Sequence, residues 1–217
     1  MAIGLFVIVL VISFALGSIP WGIVIGRVFY HKDPRDFGSG NIGTTNSIRA
    51  LGKVGGYAVF VGDFGKGLVS GLIAMGIAGI AATGSDSASV FAQYQTLVSC
   101  AFFGCIFGHI YSPWLHFKGG KGIAVAVGCM FVSLGPVVAI CELLLFTVVV
   151  VVTKYVSAGS IASAVACPII AIFIYWGNPF AWVLTAIPAI AVVYAHRGNI
   201  ERLHAGTESK VGQKKKN

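Results

Sequence analysis

Two short stretches hold most of the polar chemistry in this chain. The first, Gly38-Ser39-Gly40-Asn41-Ile42-Gly43-Thr44-Thr45-Asn46-Ser47-Ile48-Arg49, sets glycines among hydroxyls and amides and ends in a guanidinium. Successive backbone N–H groups in a glycine-rich turn converge on a concavity that holds an anion. Glycine also admits the positive φ angles and close approach that such a cradle needs, so Gly38, Gly40 and Gly43 are expected to shape it. Ser39, Asn41, Thr44, Thr45 and Asn46 add donors, and Arg49 adds a planar fork suited to phosphate. The second stretch, Phe117-Lys118-Gly119-Gly120-Lys121-Gly122, sets Gly119, Gly120 and Lys121 just before an apolar run. A helix N-terminus there, with its unpaired N–H groups, is already an anion site. Lysines that merely snorkel at a membrane surface are the competing reading of this hexapeptide.

Other polar groups are sparser. Asp63 and Lys66, three residues apart in Gly62-Asp63-Phe64-Gly65-Lys66-Gly67, fall on one face of a helix. Charge inside an apolar segment is by default a functional hypothesis, but an ion pair bracing the helices is the favoured reading. Glu142 stands alone and is expected at the outer interface. Ser157 and Ser160 follow Lys154 in a short turn, where hydroxyls ordinarily cap a helix. His196 and Asn199 lie in His196-Arg197-Gly198-Asn199-Ile200-Glu201-Arg202-Leu203, after the last apolar run.

Three lookalikes fail. Gly38–Gly43 fits GxGxxG, with Asp63 downstream, but a dinucleotide fingerprint has meaning only inside a βαβ unit, and this chain offers none. His31-Lys32-Asp33-Pro34-Arg35-Asp36 contains the HxxxxD of soluble glycerolipid acyltransferases, but Pro34 interrupts any helix and no companion motif follows. The four aspartates are not arrayed as the metal-binding set of a CDP-alcohol transferase. No metal site and no cofactor are expected.

The elements that must position these residues are membrane helices. The chain of 217 residues is 57% hydrophobic and 10% charged, whereas a soluble domain has roughly a quarter of its residues charged. Apolar runs at 2–30, 55–82, 94–113, 121–134, 136–153, 160–176 and 180–196 predict seven transmembrane helices, the fourth of them short, in one all-α domain over 1–217. The first run lacks a basic leader segment and reads as a retained helix. The net charge of +8 is distributed by connection. Basic residues fill 31–54, 118–121, 154 and the tail, while 83–93, 135 and 177–179 carry none. That alternation puts the N-terminus outside and the C-terminus in the cytoplasm, and argues for a membrane rather than nucleic acid as partner. All the hydroxyl-, amide- and base-rich turns then share the cytoplasmic face. The basic stretch 210–217 reads as a disordered tail. The five cysteines lie in apolar segments without ligand spacing and read as packing residues.

These motifs together resemble one family, the bacterial membrane-integral glycerol-3-phosphate acyltransferases that take their acyl group from acyl phosphate. The residues that match are Gly17–Gly22, Gly38–Gly52, Gly62–Gly67, Phe117–Gly122, the Ser157 turn, and His196–Leu203 followed by Gly206-Thr207-Glu208. Thr44, Lys154 and Gly198 depart from the usual Ala, Arg and Glu. The resemblance implies seven helices in the bacterial inner membrane and an active site facing the cytoplasm that contains Ser39, Arg49, Lys121, Ser157, His196 and Asn199. Its substrates would be acyl phosphate and glycerol 3-phosphate, and its product lysophosphatidic acid, made by a monomer. On that reading Gly38–Asn46 holds the acyl phosphate, Arg49 and Lys121 hold the glycerol phosphate, and Ser157, His196 and Asn199 orient the glycerol. Either His196 or the leaving phosphate accepts the proton, and the resemblance favours the phosphate. A transporter for an organic phosphate is the rival class, disfavoured by the lack of internal repeats.

Overall fold

The computed structural model describes residues 2–82 and 86–212. Helices α1 (Ala2–Ser18) and α2 (Trp21–Tyr30) are one apolar run broken at Ile19-Pro20. Pro20 has no N–H to continue the ladder, so it becomes the N-cap of α2, and its carbonyl accepts from Ile23 and Val24 at 2.9 and 3.0 Å. After a 3₁₀ turn at Pro34–Asp36, α3 (Thr44–Ala81) starts inside the glycine-rich stretch. An irregular connection through residue 54 is what the sequence predicts. The chain is helical sooner because Asn46, Ser47, Ala50 and Leu51 bury one face of the first turns. The interruption falls instead at Gly52, whose φ of 80° and ψ of 178° belong to a region that essentially only glycine visits. That kink sets a short leading helix bearing Arg49 apart from the long apolar span.

Helix α4 (Ser87–Ile110), capped by the Asp86 carboxylate accepting from Ala88 and Ser89, runs through the middle of the bundle. Glycines let backbones touch on both its flank and its neighbour's, as helices packed in lipid require. A Cβ on Gly17 would lie 2.1 Å from the Cys105 carbonyl oxygen, and one on Gly108 2.2 Å from that of Phe14, which welds α1 to α4. The chain then turns through a 3₁₀ segment, Pro113–Leu115, into α5 (Ile123–Ser133) and α6 (Pro136–Thr153). Gly128 of α5 meets the Phe64 carbonyl of α3 at 2.1 Å in the same sense. Helices α7 (Val156–Ile174) and α8 (Pro179–Ala195) complete the bundle, and α9 (Arg197–His204) leaves α8 at a 50° bend. From there the chain doubles back, so that the Val211 N–H donates to the Lys154 carbonyl at 2.8 Å. Of the predicted basic tail, 213–217 lie outside the described residues.

Every predicted apolar run is thus helical, the first of them in two pieces, but the spans differ in reach. Five among the described residues are long and apolar enough to cross a membrane, and α8 with α9 makes a sixth if the bent pair counts as one. Helix α5 has 11 residues and rises only about 16 Å, roughly half the hydrocarbon core. Glu142, expected at an outer interface, is 2% exposed because α7 packs over it.

Candidate active site

A cleft of about 250 Å³ opens where three separate segments meet. Ser39 and Asn41 line it from the glycine-rich stretch, Lys121 from the segment before α5, and Arg197, Asn199 and Arg202 from α9. The last turn of α4 anchors the middle segment. There the Gly119 N–H donates to the Ile110 carbonyl at 2.9 Å and the Gly120 N–H to that of His109 at 3.1 Å. Lys121 Nζ reaches Asn199 Oδ1. Asn199 Nδ2 in turn donates to Glu208 Oε1 at 2.6 Å, and Ser157 Oγ donates to the same oxygen at 2.8 Å. Arg202 Nε donates to Glu208 Oε2 at 2.6 Å. One carboxylate therefore ties the first turn of α7, helix α9 and the returning C-terminal segment into a single network.

The glycine-rich stretch is shaped largely from within. Gly38 and Gly40 take φ of 58° and 68°, as a tight anion loop was expected to require. The Ser39 N–H, however, donates to Asn46 Oδ1 at 2.9 Å, and the Gly43 N–H to Asn41 Oδ1 at 2.9 Å. Both amide hydrogens of Asn46 go to carbonyls, of Pro34 at 2.7 Å and of Asn41 at 2.8 Å. Asn46, expected to donate to substrate, is thus a buried strut with both amide hydrogens engaged by the fold. Gly119 and Gly120, expected to bind substrate, are likewise engaged by the fold. Their amides are spent on α4, and a Cβ on Gly119 would come within 2.0 Å of the His109 carbonyl oxygen, so these glycines seat Lys121 by close packing. What the first stretch presents instead is the start of α3, which has Gly43 as N-cap and no side-chain cap. Such an end leaves several N–H groups unpaired. Thr45 and Arg49 are exposed nearby, with Arg49 Cδ 3.3 Å from where a Gly38 Cβ would stand. Asp33, inside the rejected HxxxxD stretch, pairs with Arg27 at 2.9 Å and Arg35 at 2.7 Å.

A model of the glycerol-3-phosphate acyltransferase family matches residues 7–206. The chain belongs to this family. Glycerol-3-phosphate acyltransferases of Rhodopseudomonas palustris (strain BisB5) and Clostridioides difficile (strain 630) are each 36% identical to it, over 98% and 97% of this chain and 100% and 97% of theirs. That of Trichlorobacter lovleyi is 40% identical over 91% of this chain and 93% of its own. Among solved structures, PlsY (YgiH), an integral membrane glycerol 3-phosphate acyltransferase, is similar in two crystal structures. Its glycerol 3-phosphate form superposes with a TM-score of 0.80 at 33% identity, covering 95% of this chain and 96% of that one. Its lysophosphatidic acid form gives 0.77 at 32% identity, covering 95% of each. The chain is accordingly an integral membrane acyltransferase of bacterial phospholipid synthesis.

Electrostatics divide the acyltransferase cleft into groups short of charge partners and groups well supplied. Burial pushes the Lys121 pKa down to about 8, against the pull of the Glu208 carboxylate, and the Arg202 and Arg49 cations push it the same way. Burial also raises the Glu208 carboxyl, but the bonds from Asn199, Ser157 and Arg202 outweigh it and hold the pKa below its ordinary value. His196 is pushed down to about 4 by burial, with the Val192 bond opposing and Lys121 adding to the fall. Its Nδ1 lies 2.8 Å from the Val192 carbonyl, which only accepts, so Nδ1 carries the proton and Nε2 is left with its lone pair. Glu208 and Arg202 were not assigned roles from sequence. The available signals were their place in the matched stretch His196–Leu203 and Gly206–Glu208, and a lone acid standing among bases after α9.

Proposed function

We propose that the chain moves a fatty acyl group from acyl phosphate to the 1-hydroxyl of glycerol 3-phosphate, releasing inorganic phosphate and lysophosphatidic acid. The observation that carries this is the single cleft shared by the Ser39–Asn41 loop and by Lys121 with Asn199. Two anion-holding surfaces facing one cavity fit a reaction between two phosphate-bearing substrates. The loop and the N-terminus of α3 hold the acyl phosphate. Arg49 and Lys121 hold the phosphate of glycerol 3-phosphate, and Ser157, His196 and Asn199 orient its glycerol. The 1-hydroxyl oxygen bonds to the acyl carbon, the bond from that carbon to the phosphate oxygen breaks, and the phosphate leaves with the electron pair. An acyl phosphate is already activated, so orientation and charge stabilisation suffice without a covalent nucleophile. The His196 lone pair takes a hydrogen bond from the hydroxyl. Burial holds its pKa at about 4, so it is a weak base, and the proton goes to the departing phosphate, whose freed oxygen carries the electron pair of the broken bond.

The membrane reading has seven crossings in the bacterial inner membrane, the N-terminus outside and the cleft at the cytoplasmic face, in a monomer. The alternation of basic and bare connections supports it, with α5 entering from a glycine segment sunk against α4. Purified protein in detergent, given labelled glycerol 3-phosphate with acyl phosphate, acyl-CoA or acyl carrier protein thioester in parallel, should form lysophosphatidic acid from acyl phosphate alone. Turnover with either thioester, or an acyl-enzyme trapped from acyl phosphate, would refute the mechanism. Cysteines introduced as Gly177→Cys and Lys118→Cys should label from opposite sides of intact cells.

A further inference from the structure

Beneath the cleft lies a second group of charges that the reaction does not use. The Lys66 ammonium has three partners: Asp63 Oδ1 at 2.9 Å, the Ile19 carbonyl at 2.7 Å and His109 Nδ1 at 2.9 Å. An ammonium donates and has no acceptor, so His109 Nδ1 must be the accepting nitrogen, while Asp63 adds its charge at ion-pair distance. The imidazole proton is then on Nε2, the ring edge turned toward Gly120. That edge is so close that a Cβ on Gly120 would stand 2.1 Å from Nε2. The backbone carbonyl of His109 also takes the Gly120 amide, at 3.1 Å. Ring and main chain of one residue thus bear on the position that precedes Lys121, while Gly122 beyond it turns the chain into α5 at φ 85°.

We propose that His109, clamped by Lys66 and Asp63, is a positioning residue for Lys121. It sets the depth at which the Gly119–Gly122 segment rests on α4, and hence where the Lys121 ammonium stands in the cleft. The same ammonium fastens the Ile19 carbonyl freed at the break between α1 and α2, so break, α3, α4 and glycine segment act as one block. This inference rests on reading Lys121 as a ligand of the glycerol 3-phosphate phosphate.

Two conservative variants separate the two contacts. His109→Asn places its carbonyl where Nδ1 accepts from Lys66 but gives up the ring edge against Gly120. Its stability should be retained while KM for glycerol 3-phosphate rises about tenfold, an effect within that of displacements on the order of an ångström, and KM for acyl phosphate stays unchanged. His109→Gln reaches Gly120 and leaves Lys66 without its imidazole acceptor, so it should lower the unfolding temperature and keep KM. A purely structural His109 would leave KM alone in both, and that result overturns the proposal. Gly120→Ala should raise the same KM, and adding His109→Asn should relieve it by making room for the methyl; no relief overturns the proposal, and Gly120→Ala with normal KM does so even where His109→Asn fails to fold. Lys121→Ala is the control. If it leaves KM for glycerol 3-phosphate unchanged, the reading of Lys121 fails. If it raises KM and His109→Asn raises it further in the double variant, His109 acts elsewhere and the inference fails.

Discussion

Lys66 and Lys121 lie on opposite sides of one glycine segment, and each has a carboxylate in its neighbourhood. The Lys66 side chain is 3% exposed, bonds to the Ile19 carbonyl and His109 Nδ1, and pairs with the Asp63 carboxylate. Lys121 lines an open cleft, and among the described residues its hydrogen-bond acceptor is Asn199 Oδ1. Asp63 is within ion-pair distance of Lys66, whereas the carboxylate near Lys121 is engaged by Ser157, Asn199 and Arg202. A cation buried among protein partners is out of a ligand's reach and serves as scaffold. A cation left with protons unplaced, beside further cations, is stabilised when an anion arrives.

That contrast is broken most severely at the buried end. Lys66→Met strands the Asp63 carboxylate and the Ile19 carbonyl, and removing one partner of a buried pair costs about 3–5 kcal/mol. Thermal unfolding in detergent should show that loss, and replacing Asp63 with Leu in the same chain should recover part of it, since a buried pair exchanged for apolar groups is often near neutral. An unfolding temperature unchanged in Lys66→Met would mean the pair braces nothing. At the open end Lys121→Ala should instead leave unfolding untouched and lower kcat/KM for glycerol 3-phosphate roughly 100-fold, the worth of one charge-assisted hydrogen bond of about 3 kcal/mol. A stability loss there without a kinetic one would invert the assignment of the two lysines.

Composition and apolar run length make the helices legible, and the charge count makes the shared face of the polar turns legible. Less legible is what each glycine does. Gly38 and Gly40 adopt the positive φ that a tight loop suggests, but Gly119 and Gly120 are glycine because α4 leaves no room for a Cβ. One letter serves both demands, and only the neighbouring helix distinguishes them. Asn46 reads as a ligand donor until its two hydrogens are followed to the Pro34 and Asn41 carbonyls. Glu208 escapes for a different reason: its partner Ser157 is 51 residues away in sequence, and no local pattern announces a contact made by a chain that doubles back.

Glu208→Gln sharpens the comparison on a smaller scale. The amide keeps an oxygen for Asn199 and Ser157 but loses the ion pair with Arg202, so KM for glycerol 3-phosphate should rise about fivefold to tenfold, as for loss of a bond of about 1 kcal/mol or slightly more. A variant with normal KM would show that the network does not hold Asn199 in place.

The smallest effect is set by pH and isolates the unsatisfied state of Lys121 itself. With its pKa lowered to about 8 chiefly by burial, Lys121 is mostly charged at neutral pH and loses its proton as pH rises through that value. Phosphate binds the charged form, so kcat/KM for glycerol 3-phosphate, which reports the free enzyme, should fall about threefold between pH 7.5 and 8.5, as one group titrating near ~8 requires. In Glu208→Gln the limb should move to lower pH, because the carboxylate that opposes the depression is gone. Lys121→Ala should abolish the alkaline fall altogether, and its persistence in that variant would assign the titration to another group.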